Sequence, residues 1–487
     1  MQLRRALTCF SCLTLAHGAE NVTSNEPQLA CTFGQMGFES AYTSPFGAAR
    51  VAGAHPITET QRRAYASLFA KMDRREPVFW LGVGGSFFGG RKCADKRNIG
   101  GAKCSYSFQL ATALRASAYN ITVSDDGGQN SDASSGLAYR NVAMSGVTTG
   151  GILPSLPKIF DAPYVNGMTP DLLMVDFSTN DDGEKQDWGA AEQTTATHAL
   201  GRATNESARD EEVLAATEAL VRYMLEKHPR TALLFVEGFC YATWTLRVRE
   251  RVGTRYGVPV VPAKALFTEP VPSSRCWRGG PGVKHQPYYA HERLAHGLHA
   301  WWCAFRKRIR KLSPQPPSPM PSPIASSELR DRFRVCDAPL SVYDAIAMER
   351  GVPVDSQPAV IAGNWTLYAD RPEKPGWISD DEGIIEYPLK FGASPRIMIV
   401  FTQGYEGFDD AFVSMPDSST NRFTLAGTHR AHVTQSELLV INAKQNGNEQ
   451  LVGGVKGFGV APHTEHVLRI QKNKGRGKVK ITWVSSC

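Results

Sequence analysis

Four short blocks of this 487-residue chain carry groups that can do acyl chemistry, and they come in the order Ser, Gly, Asn, His. Ser86 follows Gly84-Gly85 at the end of the apolar run Val78 to Val83. A serine hydroxyl becomes a nucleophile when a base takes its proton, and His285, in Lys284-His285-Gln-Pro, is the residue type that titrates where such a base must. Asn180, in Thr179-Asn180-Asp181, can donate its amide to an oxyanion. Gly146, in a Gly- and Thr-rich turn after Asn141, can present a backbone N–H to the same charge. Each block alone has a blander use: a tight turn with a solvated serine, an Asn-Asp turn, a loop histidine in water. Four of them in this order on one α/β pattern outweigh those separate readings.

Other chemistries fail on spacing. A phosphate-binding Walker loop needs Lys and then Ser or Thr after its last glycine, whereas Gly84 to Gly89 is followed by Gly90, Arg91 and Lys92. A dinucleotide fingerprint starting at Gly82 lacks its third glycine, because Phe87 stands there. His291-Glu292 resembles the start of a zinc-protease motif, but the next histidine is His296, five positions on, and a helix turns about 140° in that interval. No CxxC pair supports structural zinc. The motifs therefore ask for neither metal nor cofactor.

The elements that position these residues alternate. The run from Val78 reads as a strand buried on both faces, and its glycines permit a sharp turn that delivers Ser86 at the carboxyl end, where open α/β sheets collect their ligands. Leu172 to Phe177 and Ala232 to Val236 are further buried strands, with shorter ones at Tyr119 to Val123 and Val258 to Val261. Helical spacing is found over Pro56 to Arg75, from Phe108 to Leu114, and from Val213 to Leu225, the last with a capping-box variant at Ser207 and Asp210. A final helix from Tyr289 aligns Leu294, Leu298, Trp301 and Phe305 on one stripe. Strands and helices alternating at these lengths predict a three-layer α/β fold of mainly parallel strands, flavodoxin-like, over residues 19–310.

Ser313 to Pro323 then carries six prolines in eleven residues, which excludes helix and central strand and predicts a stiff spacer at 311–328. Beyond it the texture changes to short β-rich runs: Ile384 to Leu389, Arg396 to Phe401, Ala411 to Met415, Glu437 to Ile441, His466 to Ile470 and Val479 to Val484. The helical stretch Tyr343 to Arg350 precedes them. This is the pattern of an antiparallel β-sandwich over 329–487.

Net charge is +7 without a strongly basic block, and the densest cationic run, Arg306 to Lys311, has no interleaved aromatic residues, so nucleic acid is not an expected partner. Residues 1–18 combine Arg4 and Arg5, a moderately apolar core and small residues at Ala16 and Gly18, which fits a secretory signal peptide. No later stretch is apolar for long enough to span a membrane as a helix. Eight of the ten cysteines lie beyond the signal, an even set that suits disulfides but allows about 105 pairings. The spacing of Cys93 and Cys104 across a Gly-rich loop suggests a local bridge, and Cys336 and Cys487 stand at the two ends of the β-rich module, where a bridge would close it. Sequons at Asn21, Asn120, Asn205 and Asn364 agree with a glycosylated chain in the secretory lumen or outside the cell.

On these four blocks the chain resembles the SGNH, or GDSL-type, hydrolases. Gly84-Gly85-Ser86 matches the nucleophile block, Gly146 the second, Thr179-Asn180-Asp181 the third and His285 the last. It is most similar to a eukaryotic secreted subgroup with a GGS nucleophile block, a following cysteine pair like Cys93 and Cys104, and a catalytic histidine six residues before a second one, as His285 stands before His291. The resemblance implies a serine esterase: Ser86 attacks an ester carbonyl, His285 carries the proton, and Ser86, Gly146 and Asn180 hold the oxyanion. The implied substrates are O-acyl groups, acetyl esters of an acylated polysaccharide foremost. An O-acyltransferase using the same serine, and a weak or inactive glycan-binding protein, are the alternatives. One departure favours the last: the family places an aspartate three residues before the histidine, and here that position is Gly282. Asp181 and Asp182 are available in sequence to orient His285 instead.

Overall fold

The computed structural model describes residues 45–54, 56–90, 93, 101–119, 136–144, 146–160, 168–182, 206–238, 243–266, 288–349, 356–370, 374–404, 406–417, 422–428, 434–442 and 457–487. Residues 1–18, Gly282, His285 and the sequon asparagines Asn21, Asn120 and Asn205 lie outside them.

The first domain is built on five parallel strands: β1 Val78–Gly84, β2 Leu137–Asn141, β3 Leu172–Asp176, β4 Ala232–Glu237 and β5 Val260–Pro262, in the order β2-β1-β3-β4-β5. Alternation along β1 explains why its sequence is apolar throughout. Val78 and Trp80 face one core with the helices Glu59–Asp73, Tyr106–Tyr119 and Tyr288–Lys311. Phe79, Leu81 and Val83 face a second core with Glu206–Lys227 and Thr243–Tyr256. The first core is densely aromatic. Trp302 lies 6.4 Å from Trp80 and 5.2 Å from Phe69, and Phe305 packs edge-on against Tyr65 at 4.9 Å. Each such ring contributes roughly 1.5–3 kcal/mol by burial, which holds the long last helix firmly to the sheet. The cationic run at its end is part of that attachment, since Arg306 and Arg310 both pair with Asp73 and Arg308 donates to the Ala52 carbonyl at 2.6 Å.

Three local expectations are corrected. Tyr119 ends the helix Tyr106–Tyr119 rather than opening a strand. Its hydroxyl donates to the Glu76 carbonyl at 3.0 Å, so tertiary anchoring decides between helix and strand here. The helix expected to be capped at Ser207 begins at Glu206, which places Ser207 inside it. Val258 precedes β5, and its N–H closes the previous helix on the Gly253 carbonyl at 2.9 Å.

The proline-rich segment is extended, as its composition requires, but it is a strap and not a free spacer. Proline lacks an N–H while its carbonyl still accepts, and the strap uses both kinds of group. Arg222 donates to the Pro321 carbonyl at 2.9 Å, and the N–H groups of Ile324 and Ala325 converge on buried Glu218 at 2.7 and 2.8 Å. Ser326 then caps the helix Ser327–Phe333, whose Phe333, with Val335 after it, joins the second core. The segment that follows the prolines thus packs on the α/β domain as far as Val335.

The second domain comprises β6 Ser341–Asp344, β7 Ala359–Ala362, β8 Thr366–Ala369, β9 Pro375–Ser379, β10 Gly383–Lys390, β11 Arg396–Gln403, β12 Ala411–Ser414, β13 Arg422–Leu425, β14 Gln435–Asn442, β15 Glu465–Lys472 and β16 Val479–Ser486. They form two antiparallel sheets, β13-β12-β15-β10-β7 and β14-β11-β16-β9-β8, with β6 added against β16. The fold class is therefore the one the sequence implies: a parallel α/β sheet followed by an antiparallel β-sandwich. The stretch expected as a helix from Tyr343 divides, because the Asp344 carboxylate accepts from the N–H groups of Ile346 and Ala347 at 2.9 and 3.0 Å and so starts the helix only at Ala345. Cys93 is joined to Cys104 and Cys336 to Cys487, with Cα separations of 5.7 and 6.1 Å. Asn364 is exposed in the turn between β7 and β8.

His299 is buried inside the last helix, and that burial, helped by nearby His296, pushes its pKa down to about 4. A depressed histidine pKa means the fold holds the neutral ring, so its contribution is complete above pH 6.5 and is lost as pH falls toward 4. The full span corresponds to about 3 kcal/mol. Denaturant unfolding followed from pH 7 to pH 4 should therefore show a shallower loss of stability for His299→Gln than for wild type; equal slopes would exclude His299 as the source.

Candidate active site

The strand order places three of the four sequence blocks at one edge. The chain passes from β1 to β2 on one side and returns to β3 on the other, so a crevice opens at the carboxyl ends of these strands. Ser86 follows β1, Gly146 follows β2 and Asn180 follows β3. Hydrogen bonds continue past the strand ends and tie the blocks together: the Gly85 N–H donates to the Asp176 carbonyl and the Met144 N–H to the Gly84 carbonyl, both at 2.9 Å. Beyond Gly85 the chain enters a helical turn closed by the Gly89 N–H on the Gly85 carbonyl at 3.0 Å.

Neither Gly84 nor Gly85 has a positive φ, so the turn at Ser86 does not need glycine for its backbone angles. It needs the space. A Cβ on Gly85 would lie 2.6 Å from Asn180 Nδ2, and only a glycine lets that amide lie against the turn at Ser86. Asn180 Nδ2 also donates to the Val147 carbonyl at 2.6 Å. A primary amide has two N–H groups, so this bond fixes the side chain and leaves one donor for a ligand. Gly146 does require its residue type for conformation, with φ at +86°.

The side chains that hold these turns were not singled out by motif reasoning. Arg249 is fully buried and pairs with Asp181 at 2.5 Å and with Glu237. Asp181 in turn accepts from the Thr149 N–H at 2.9 Å and the Thr149 hydroxyl at 2.6 Å. The charge network therefore joins the ends of β3 and β4 to the turn after Gly146. Burial pushes the Glu237 carboxyl up to about 7, against the pull of Arg249 and with the help of Asp176. Asp176 is buried as well and its pKa is raised by that burial, although Ser178 and Tyr106 donate to it. The sequence did hold one signal: Thr245, Val248, Arg249, Val252 and Tyr256 share a buried helix stripe, and an arginine there demands carboxylates. Asp181 is thus engaged by Thr149 and Arg249.

His285 lies outside the described residues, and the helix that follows it begins at Tyr288. His291, in its first turn, stacks on Phe87 with ring centroids 4.4 Å apart and accepts from the Tyr106 N–H through Nδ1 at 3.2 Å. These contacts give the second histidine a structural role beside Phe87 and Tyr106.

By structure the chain is similar to a two-domain esterase, CEX, active on acetylated mannans and co-crystallised with mannopentaose: TM-score 0.54 and 12% identity, covering 89% of this chain and 95% of that one. A second structure of a two-domain esterase active on acetylated mannans gives the same TM-score and identity over 87% and 95%. The chain shares the fold of a two-domain esterase. No protein-family model and no curated protein sequence matches it.

Arg249→Met should destabilise the protein by roughly 3–5 kcal/mol in urea unfolding, because it leaves Asp181 buried without its counter-charge. A loss below about 1 kcal/mol would mean that no uncompensated charge is left at Asp181 and that neutral hydrogen bonds suffice.

Proposed function

We propose that this protein is a secreted serine esterase that removes O-acyl groups, acetyl esters of carbohydrate foremost, through an acyl-enzyme on Ser86. The observation that carries the reading is the Asn180 amide lodged against Gly85, one residue from Ser86, with the left-handed Gly146 turn held by the same amide through Val147. His285 takes the Ser86 proton as Oγ attacks the ester carbonyl, and the oxyanion accepts from the N–H groups of Ser86 and Gly146 and from Asn180. The alcohol departs with the proton from His285, and a water activated by the same ring releases the acid. The SGNH resemblance and the shared fold with two-domain esterases active on acetylated mannans support the substrate class. Export is supported by the leader-like segment 1–18, the sequons and the two joined cysteine pairs.

A fluorophosphonate probe should label wild-type protein and leave Ser86→Ala unlabelled. Asn180→Ala should lower kcat on a small acetyl ester by about 10²–10³ with little change in KM. An unlabelled wild type transfers the chain to the glycan-binding reading, which Gly282 favours. With sugar acceptors present, acetyl released as free acetate identifies a hydrolase, and acetyl found on sugar identifies an acyltransferase.

Gly282 generates a separate expectation. A main-chain carbonyl accepting from His285 Nδ1–H fixes the tautomer without supplying a charge. Gly282→Asp should then change kcat by no more than about tenfold, ~1.4 kcal/mol. Activity appearing only in Gly282→Asp would show that the natural chain lacks a working base.

A further inference from the structure

β14 is the outer strand of its sheet and pairs on one side with β11. At Ser436, opposite Thr402, its main chain turns the other edge toward the α/β domain. The Ser436 N–H donates to the Gly146 carbonyl at 2.8 Å, and Ser436 and Val147 form a parallel bridge. Ser436 and Val147 are both buried. The surroundings are apolar: Val142, Met144 and Val147 from one domain and Val400 and Trp483 from the other line a shared cleft.

We propose that the β-sandwich is a positioning part of the oxyanion site, with the edge of β14 setting the Gly146–Val147 peptide and, through the Val147 carbonyl, the Asn180 amide. The catalytic half of this inference rests on the esterase reading above. Glycine has little steric preference for φ, so the direction of the Gly146 N–H is decided by what holds its neighbours. Among the described residues, the Met144 N–H ties this turn to the Gly84 carbonyl, Asp181 accepts from the Thr149 N–H, Asn180 donates to the Val147 carbonyl and the Ser436 N–H donates to the Gly146 carbonyl itself. Of these bonds the last comes from the second domain, and it acts on the candidate donor residue directly. An exposed strand edge is a liability that proteins cover, and here the cover is the turn that must be rigid for catalysis.

Because the anchor is a main-chain N–H on an edge strand, proline removes it without breaking the β14–β11 ladder. Ser436→Pro should lower kcat on a small acetyl ester by about tenfold or more with KM within about threefold, and should speed deuterium uptake in peptides spanning 143–149. Val440→Pro supplies the control, since alternation turns its N–H to the same side, away from β11; it should change neither readout. Equal effects of the two prolines, or an unchanged kcat for Ser436→Pro, would overturn the proposal. In case Ser436→Pro does not fold, residue-resolved exchange on wild type decides: the Ser436 amide should be as slow as those facing β11, and exchange as fast as Val440 refutes the anchor. If wild-type protein neither labels nor turns over, the esterase reading falls with the catalytic half of this proposal, and exchange at Ser436 still decides whether β14 holds the turn.

Discussion

A guanidinium removed from water must be matched by carboxylates, because an unpaired buried charge costs several kcal/mol, and the position of Arg249 imposes that condition on the whole edge of the sheet. Its two partners come from different strands, Asp181 from the turn after β3 and Glu237 from the end of β4. Asp181 passes the constraint on to Thr149, which stands after the Gly146 turn. Three carboxyl-terminal strand ends are thereby locked relative to one another. Burial pushes the Glu237 carboxyl up to about 7 against the pull of Arg249, so the charged form of this partner is held at a cost. A buried group of this kind is better understood as fixing one arrangement than as adding stability.

Upon that scaffold the turn at Ser86 is shaped by absent atoms. Gly85 leaves room for the Asn180 amide, and the same amide reaches the Val147 carbonyl, so a single side chain spans the turns after β1, β2 and β3. The strand order β2-β1-β3 is what makes this possible, since β1 lies between the other two. On the helical side, Phe87 is wedged by His291 and Tyr106, and Tyr106 donates to Asp176 at the end of β3. The residue after Ser86 is therefore held by aromatic packing while the residue before it is held by an amide.

The two domains are joined more closely than a proline-rich connection implies. The strap from 313 to 326 is fastened to the α/β domain by Arg222, Arg255 and Glu218, so the entry to the sandwich starts from a defined place. From there the sandwich returns to touch the Gly146 turn through Ser436. Covering a free strand edge and holding the Gly146 turn are met by one contact, which gives a physical reason for the two domains to travel as a pair.

Much of this was legible in the residues. Short apolar runs such as Leu172 to Val175, flanked by turn residues, read as strands buried on both faces, the 3.6-residue stripe from Leu294 to Phe305 reads as a helix against a core, and the Ser, Gly and Asn blocks follow such strands in order. Several strands of four or five residues, β2, β6, β7, β8, β9 and β13, showed no such pattern, being too short for alternation to stand out and, at Pro375-Gly376, opening on residues that usually mark a break. The sequence by itself determined which residue types stand at which strand ends, because turn chemistry and burial are local. Which of them touch was decided only by the tertiary structure: Arg249 finding Asp181 across 68 residues, and Ser436 finding Gly146 across the domain boundary, depend on strand order and on an edge left unpaired, and neither is written in any window of the chain.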